Sequence, residues 1–260
     1  MEIFGYEIDT GLFLAIVGIV LAVIIGLVHY VLVEKTKKEA KRAKEESIAA
    51  KEEARKATQK TEVAIKNIEN IERHFGIPIY KDGLPSADPP VFDPFFEGTK
   101  LMTAYKWDEA IAEFQKAMKE AKAKQLVALY NLVAICYYPS GRLSLALENY
   151  EESLRLARQF GDKQGEGNAL GNIGVIYKAK GELDQALKYL EEALKIDKEI
   201  GFKQGEANQL GNIGNVYYLK GDLEQALKYY NEALNIFEEI GMPEQIEIVK
   251  GNIERIKTKK

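Results

Sequence analysis

A chain of 260 residues with a formal net charge of -4 has room for a sizeable core and lacks the basic excess that a nucleic-acid surface needs. One cysteine, Cys136, excludes an internal disulfide and reads as a small buried residue of a reducing compartment. Two histidines, no cysteine pair, no G-x-x-x-x-G-K-[ST] loop and no H-E-x-x-H leave no pattern for a zinc site, a conventional triad or a nucleotide, so a non-enzyme without metal or cofactor is expected.

In chain order, 1–11 is a short acidic lead carrying Glu2, Glu7 and Asp9, followed by an uncharged run at 12–33 that opens on Leu12 and closes on Val33. Twenty-two helical residues reach about 33 Å, enough to cross a bilayer core. The acidic lead, the length of the run and the lack of a cleavage motif favour a retained membrane anchor over a signal peptide. Lys35, Lys37, Lys38, Lys41, Arg42 and Lys44 crowd its far end, which sets the N-terminus outside and everything downstream in the cytoplasm of a single-pass cell-membrane protein.

From 34 to 75 there is no proline or glycine before Gly76, and the segment reads as one helical stalk. Small and apolar residues follow a 4-3 spacing from Ala40 through Ala64 to Ile68, Ile71 and Phe75. That seam predicts a parallel coiled coil, and hence a homo-oligomer, paired most firmly through Ile68, Ile71 and Phe75. Five of the seven prolines then fall at 76–94, which reads as a linker, with Tyr80, Phe92, Phe95 and Phe96 available to pack on the first helices beyond it.

Past the linker the chain repeats itself. LGNIG occurs at 170–174 and again at 210–214, and the blocks from Asn168 and from Asn208 superpose without a gap at a 40-residue step. A weaker unit from Ala128 keeps Gly141, Ala146, Tyr150 and Gly161 in register, and a fainter one starts at Phe95. Apolar positions recur at helical spacing within a unit, so each unit is a helical hairpin that needs its neighbours to bury its apolar face. Gly181 and Gly221 mark the turns inside hairpins; Gly161, Gly201 and Gly241 sit where a helix end needs a left-handed residue. Gly174 and Gly214 are expected on the facing sides of paired helices.

These blocks resemble tetratricopeptide repeats: Ile173, Gly174, Tyr177, Ala186, Leu190 and Ala193 match the family's pattern, as do Ile213, Gly214, Tyr217, Ala226, Tyr230 and Ala233. Where the family often ends the second helix on proline, this chain has Arg158, Lys198 and Glu238, so the helices run on to a longer period. The expected fold is all-α: one transmembrane helix continuing into the stalk, then a superhelix over 95–257 with repeats at 95–126, 127–166, 167–206 and 207–242 and a capping helix at 243–257 opened by Pro243.

The resemblance implies a concave groove lined by the first helices, which takes an extended peptide or a partner's helix. On that face the helical wheel aligns Asn168, Asn172 and Val175, then Asn208, Asn212, Asn215 and Leu219, with Asn252 continuing the ladder. Amides both donate and accept, so a ladder of them suits capture of a peptide backbone, or else joins neighbouring repeats. The reading is a membrane-anchored scaffold or adaptor that recruits a protein partner, the alternatives being a fixed subunit of a membrane assembly such as a secretion or pilus machine and a peptide-sensing regulator.

Overall fold

The structure is a computed structural model that describes the backbone of 2–3, 6–7, 10–75 and 89–258, with side chains at 21, 27, 29–69 and 93–258. The chain divides into two compact units, 1–58 and 59–260. The first begins with two antiparallel two-residue strands, β1 (Glu2–Ile3) and β2 (Tyr6–Glu7), an addition to the all-α expectation. A helix, α1 (Thr10–Phe75), comes next.

Most side chains of the expected membrane anchor lie outside the described residues, and the linker residues 76–88 lie outside them altogether. Among the described residues no helix is long and apolar enough to cross a membrane. From Lys35 to Lys56 the described side chains are exposed, and the ion pairs there are the i,i+3 and i,i+4 kind that support a solvated helix by a few tenths of a kcal/mol.

The second unit opens on the last turns of α1 and continues with α2 (Pro89–Thr103), α3 (Trp107–Met118), α4 (Ala123–Tyr137), a 3-10 turn (Tyr138–Ser140) and α5 (Leu143–Phe160). Then come α6 (Lys163–Ala179), α7 (Leu183–Glu199), α8 (Lys203–Lys220), α9 (Leu223–Ile240) and α10 (Pro243–Lys257). Consecutive helices pack as hairpins α2/α3, α4/α5, α6/α7 and α8/α9, closed by α10.

Two sequence expectations are corrected here. Pro89, Pro90 and Pro94 belong to α2 rather than to a linker, so the first hairpin starts six residues earlier than expected. A first turn uses no backbone donors, which is why Pro89 and Pro90 fit there; Pro94, four residues after Pro90, forfeits one ladder bond. The second correction concerns Ile68. It is fully buried within its own unit, in one apolar cluster with Ala64, Phe95 and Met102, while Lys60 pairs with Asp93 at 3.0 Å and lies over the Phe96 ring. The end of α1 therefore caps the array, and Ile68 is not free to pair stalks; Ile71 and Phe75 have side chains outside the described residues.

Left-handed glycines punctuate the array at a 20-residue step, at 141, 161, 181, 201, 221 and 241, with φ between 67° and 81°. The positions where proline would have stopped a helix carry charge that ties one hairpin to the next. Arg158 reaches Glu166 at 2.8 Å and Glu192 at 2.7 Å, Lys198 reaches Glu206 at 3.9 Å, and Glu238 meets Lys250 at 3.5 Å. Burial pushes the Glu166 carboxyl up, yet its bonds to Lys163 and Arg158 outweigh this and hold it below the usual carboxylate range. Burial pushes the Cys136 thiol upward, as an inert core cysteine requires.

Candidate functional site

In each of the third and fourth hairpins the first helix carries a glycine that accepts a large side chain from the second. A Cβ on Gly174 would stand 2.7 Å from Leu190 Cγ, and one on Gly214 would stand 2.8 Å from the Tyr230 ring. The first helices also touch along the stack, α4 against α6 and α6 against α8. A Cβ on Gly171 would meet the Gln209 amide at 2.7 Å, whereas at Gly211 and Gly251 there is nothing within 4 Å. The small-residue strip is thus filled by the next helix at α6 and open at α8 and α10.

The asparagine ladder divides in the same way. Asn168 is 7% exposed and donates to the Gln164 carbonyl of its own helix. Asn172 is 2% exposed and its Nδ2 approaches Asn131 Oδ1 at 3.4 Å, joining two hairpins, and Val175 is buried beside it. Asn212 is buried at the limit of contact with solvent, while Asn208, Asn215 and Asn252 are half-buried. Asn215 Oδ1 accepts the Tyr230 hydroxyl at 2.7 Å, so that amide also fixes a hairpin.

Only the α8 and α10 part of the ladder faces an open surface. There Leu219 is 57% exposed, and Ile248, one repeat step on from Asn208, is 56% exposed. Ile248 went unremarked in the sequence because it breaks the run of amides; its register position was the signal.

Tyr150 shows what Asn215 does. At the same register position as Tyr230, its buried hydroxyl has no hydrogen-bond partner, and Ile135 stands where Asn215 would be. Tyr230→Phe is therefore expected to cost about 1 kcal/mol in thermal or denaturant unfolding, and Tyr150→Phe to be neutral or stabilising. Equal losses in both variants would show that the hydroxyls are equivalent.

A second departure from the repeat register is polar. Asp197 and Gln209 are 1% and 3% exposed and occupy positions held by Ala157 and Phe237, and by Ala169 and Val249, in the neighbouring units. Gln209 Nε2 donates to Asp197 Oδ2 at 3.2 Å, while Asp197 Oδ1 and Gln209 Oε1 have no partner. Comparing the units position by position, rather than for what they share, would have found this pair in the sequence. Among the described residues no group of three or more histidine, cysteine, aspartate or glutamate side chains is placed to hold a metal ion.

The hairpin fold has counterparts among known proteins. The tetratricopeptide repeat pattern matches residues 125–199 and again 207–239. No curated protein matches the chain by sequence. Among solved structures it is similar to apo RapI, at 18% identity and a TM-score of 0.58 over 65% of this chain and 63% of that one. It is similar to PlcR of Bacillus thuringiensis in its apo form, at 15% identity and a TM-score of 0.57 over 80% and 81% of the two chains. It is also similar to the Rap conjugation gene regulator of plasmid pLS20 in complex with the Phr* peptide, at 16% identity and a TM-score of 0.50 over 69% and 58%. The chain spans less than two thirds of the RapI and pLS20 chains, and at these identities the likeness is one of fold. Repeat pattern, hairpin geometry and fold agree: residues 125–199 and 207–239 are tetratricopeptide repeats.

Proposed function

We propose that the chain is a membrane-anchored adaptor that recruits a protein partner as an extended peptide laid along the inner faces of α8 and α10. The observation that carries this is the open surface there: exposed Leu219 and Ile248 flanked by half-buried Asn208, Asn215 and Asn252, with the side-chain-free backbone of Gly211 and Gly251 between them. Apolar anchors beside amides are what a peptide needs, burying alternate side chains while its backbone groups find partners. The inner face of α6 takes no part, since Asn168 and Asn172 are buried.

Anchoring rests on the sequence, on the uncharged run 12–33 and the lysines after it, which put the repeats on the cytoplasmic side. The pLS20 regulator's complex with a peptide favours, as a second reading, a groove that senses a free peptide signal.

A photoreactive residue at 219 or 248 in native membranes should yield a discrete adduct, and one at the exposed Lys195 position of α7 should not. Equal labelling from both faces would overturn the groove. In the same membranes the chain should resist a high-salt wash, and its repeats should survive protease added to sealed, right-side-out vesicles. Release by salt would overturn the anchor, and digestion without detergent the orientation.

A further inference from the structure

The polar pair at the joint between the third and fourth hairpins has no counterpart in the neighbouring joints. Asp197 on α7 and Gln209 on α8 share one hydrogen bond, from Nε2 to Oδ2, and each keeps one buried oxygen with no donor. Both groups rest on the same face of α6. Asp197 Oδ1 lies 2.8 Å from where a Cβ of Gly167 would be, and the Gln209 amide lies 2.7 Å from where a Cβ of Gly171 would be, one helical turn further on. Gly205 on α8 gives Asp197 Oδ2 the same clearance, at 2.6 Å. Three glycines thus make room for a carboxylate and an amide where the other units place alanine, valine or phenylalanine.

Two acceptors left over beside an existing amide-to-carboxylate bond are completed by one proton. A neutral carboxylic acid donates through its O–H to the amide oxygen while accepting the amide N–H, and both buried acceptors are then used. We propose that Asp197 and Gln209 form a proton-operated latch, in which proton uptake by the carboxylate completes a cyclic acid–amide pair and closes α8 onto α6 and α7.

The charged groups around the latch are spoken for elsewhere. On α6 Lys163 pairs with Glu166, and on α8 Lys203 pairs with Glu206, which also meets Lys198 of α7. Burial pushes the Asp197 carboxyl from 3.8 up to about 6; the Gln209 bond opposes the rise and the Glu206 charge adds to it. The folded value is the higher one. The stabilisation from protonation is therefore full below the unfolded value of 3.8 and is lost as pH rises through about 6. For one such group the closed-to-open ratio of the joint is about tenfold larger at pH 5 than at pH 7.

Hydrogen exchange on the full-length chain in mild detergent, corrected for intrinsic pH dependence, tests this. Protection of the α8 amides should be about tenfold higher at pH 5 than at pH 7. In Asp197→Asn the second amide donates where the acid would, so protection should be independent of pH and already at the wild-type acid level at pH 7. The same pH dependence in both proteins would overturn the latch. So would failure of Asp197→Asn to fold, because a neutral side chain of that shape reproduces the closed pair. A carbon-13 carboxyl titration of the wild type placing Asp197 at or below 4 would overturn it independently of any variant. None of these outcomes depends on whether α8 and α10 bind a peptide.

Discussion

Gly174→Leu combined with Gly214→Leu is expected to abolish the cooperative unfolding of the array, read by circular dichroism and by denaturant titration. The first added carbon alone would sit 2.7 Å from Leu190 Cγ and 3.2 Å from the Ala186 carbonyl in one hairpin, and 2.8 Å from the Tyr230 ring in the next. Leu190 is fully buried and Tyr230 nearly so, which leaves neither a path to retreat. Overpacking of this kind costs about 1 to 3 kcal/mol for a methylene or two, and a leucine adds four carbons at each site. Two such insertions rival the roughly 5 to 15 kcal/mol that holds a whole domain together. Gly211→Ala and Gly251→Ala form the control, because nothing lies within 4 Å of either added carbon and alanine favours helix by up to about 1 kcal/mol. If the leucine pair melts like the wild type, the hairpins do not depend on glycine for their close approach.

Ile68→Asp carries the second large effect. A carboxylate at this fully buried position would lie in one apolar cluster with Ala64, Phe95 and Met102. Loss of the apolar burial together with the cost of an unpaired polar group amounts to about 3 to 5 kcal/mol. The damage should begin at the first hairpin, seen as fast amide exchange in α2 and α3 and a lowered melting temperature of the repeats. Ile65→Asp on the same helix is the comparison, since Ile65 is 38% exposed. Full retention of stability by Ile68→Asp would mean that the end of α1 is a free stalk after all.

The contrast between Ile68 and Gly174 shows what was legible in the sequence. Gly174 and Gly214 could be read because their constraint is local: a 40-residue copy preserves the helix, the turn and the facing residue together. The helical hairpins, the glycine turns and the capping helix emerged from the same periodicity. Ile68 could not be read, because a 4-3 seam states that a face will be buried and is silent on what buries it; the covering residues, Phe95 and Met102, lie across a proline-rich segment. The asparagine ladder failed in part for a related reason. Spacing placed Asn172 and Asn212 on one stripe, but whether a stripe is open depends on how closely successive first helices approach. That distance is set by single side chains such as Gln209 leaning on Gly171.

The even step of the left-handed glycines, one every 20 residues from 141 to 241, makes the array divisible. A cut in the turn at Gly161 and another in the turn at Gly201 remove one whole hairpin, and the loose ends meet at turns of the same hand and the same geometry. A unit gained or lost by duplication or deletion of 40 residues would leave every remaining helix in phase with its neighbours, so the reach of the inner surface can change in whole modules while the join remains seamless.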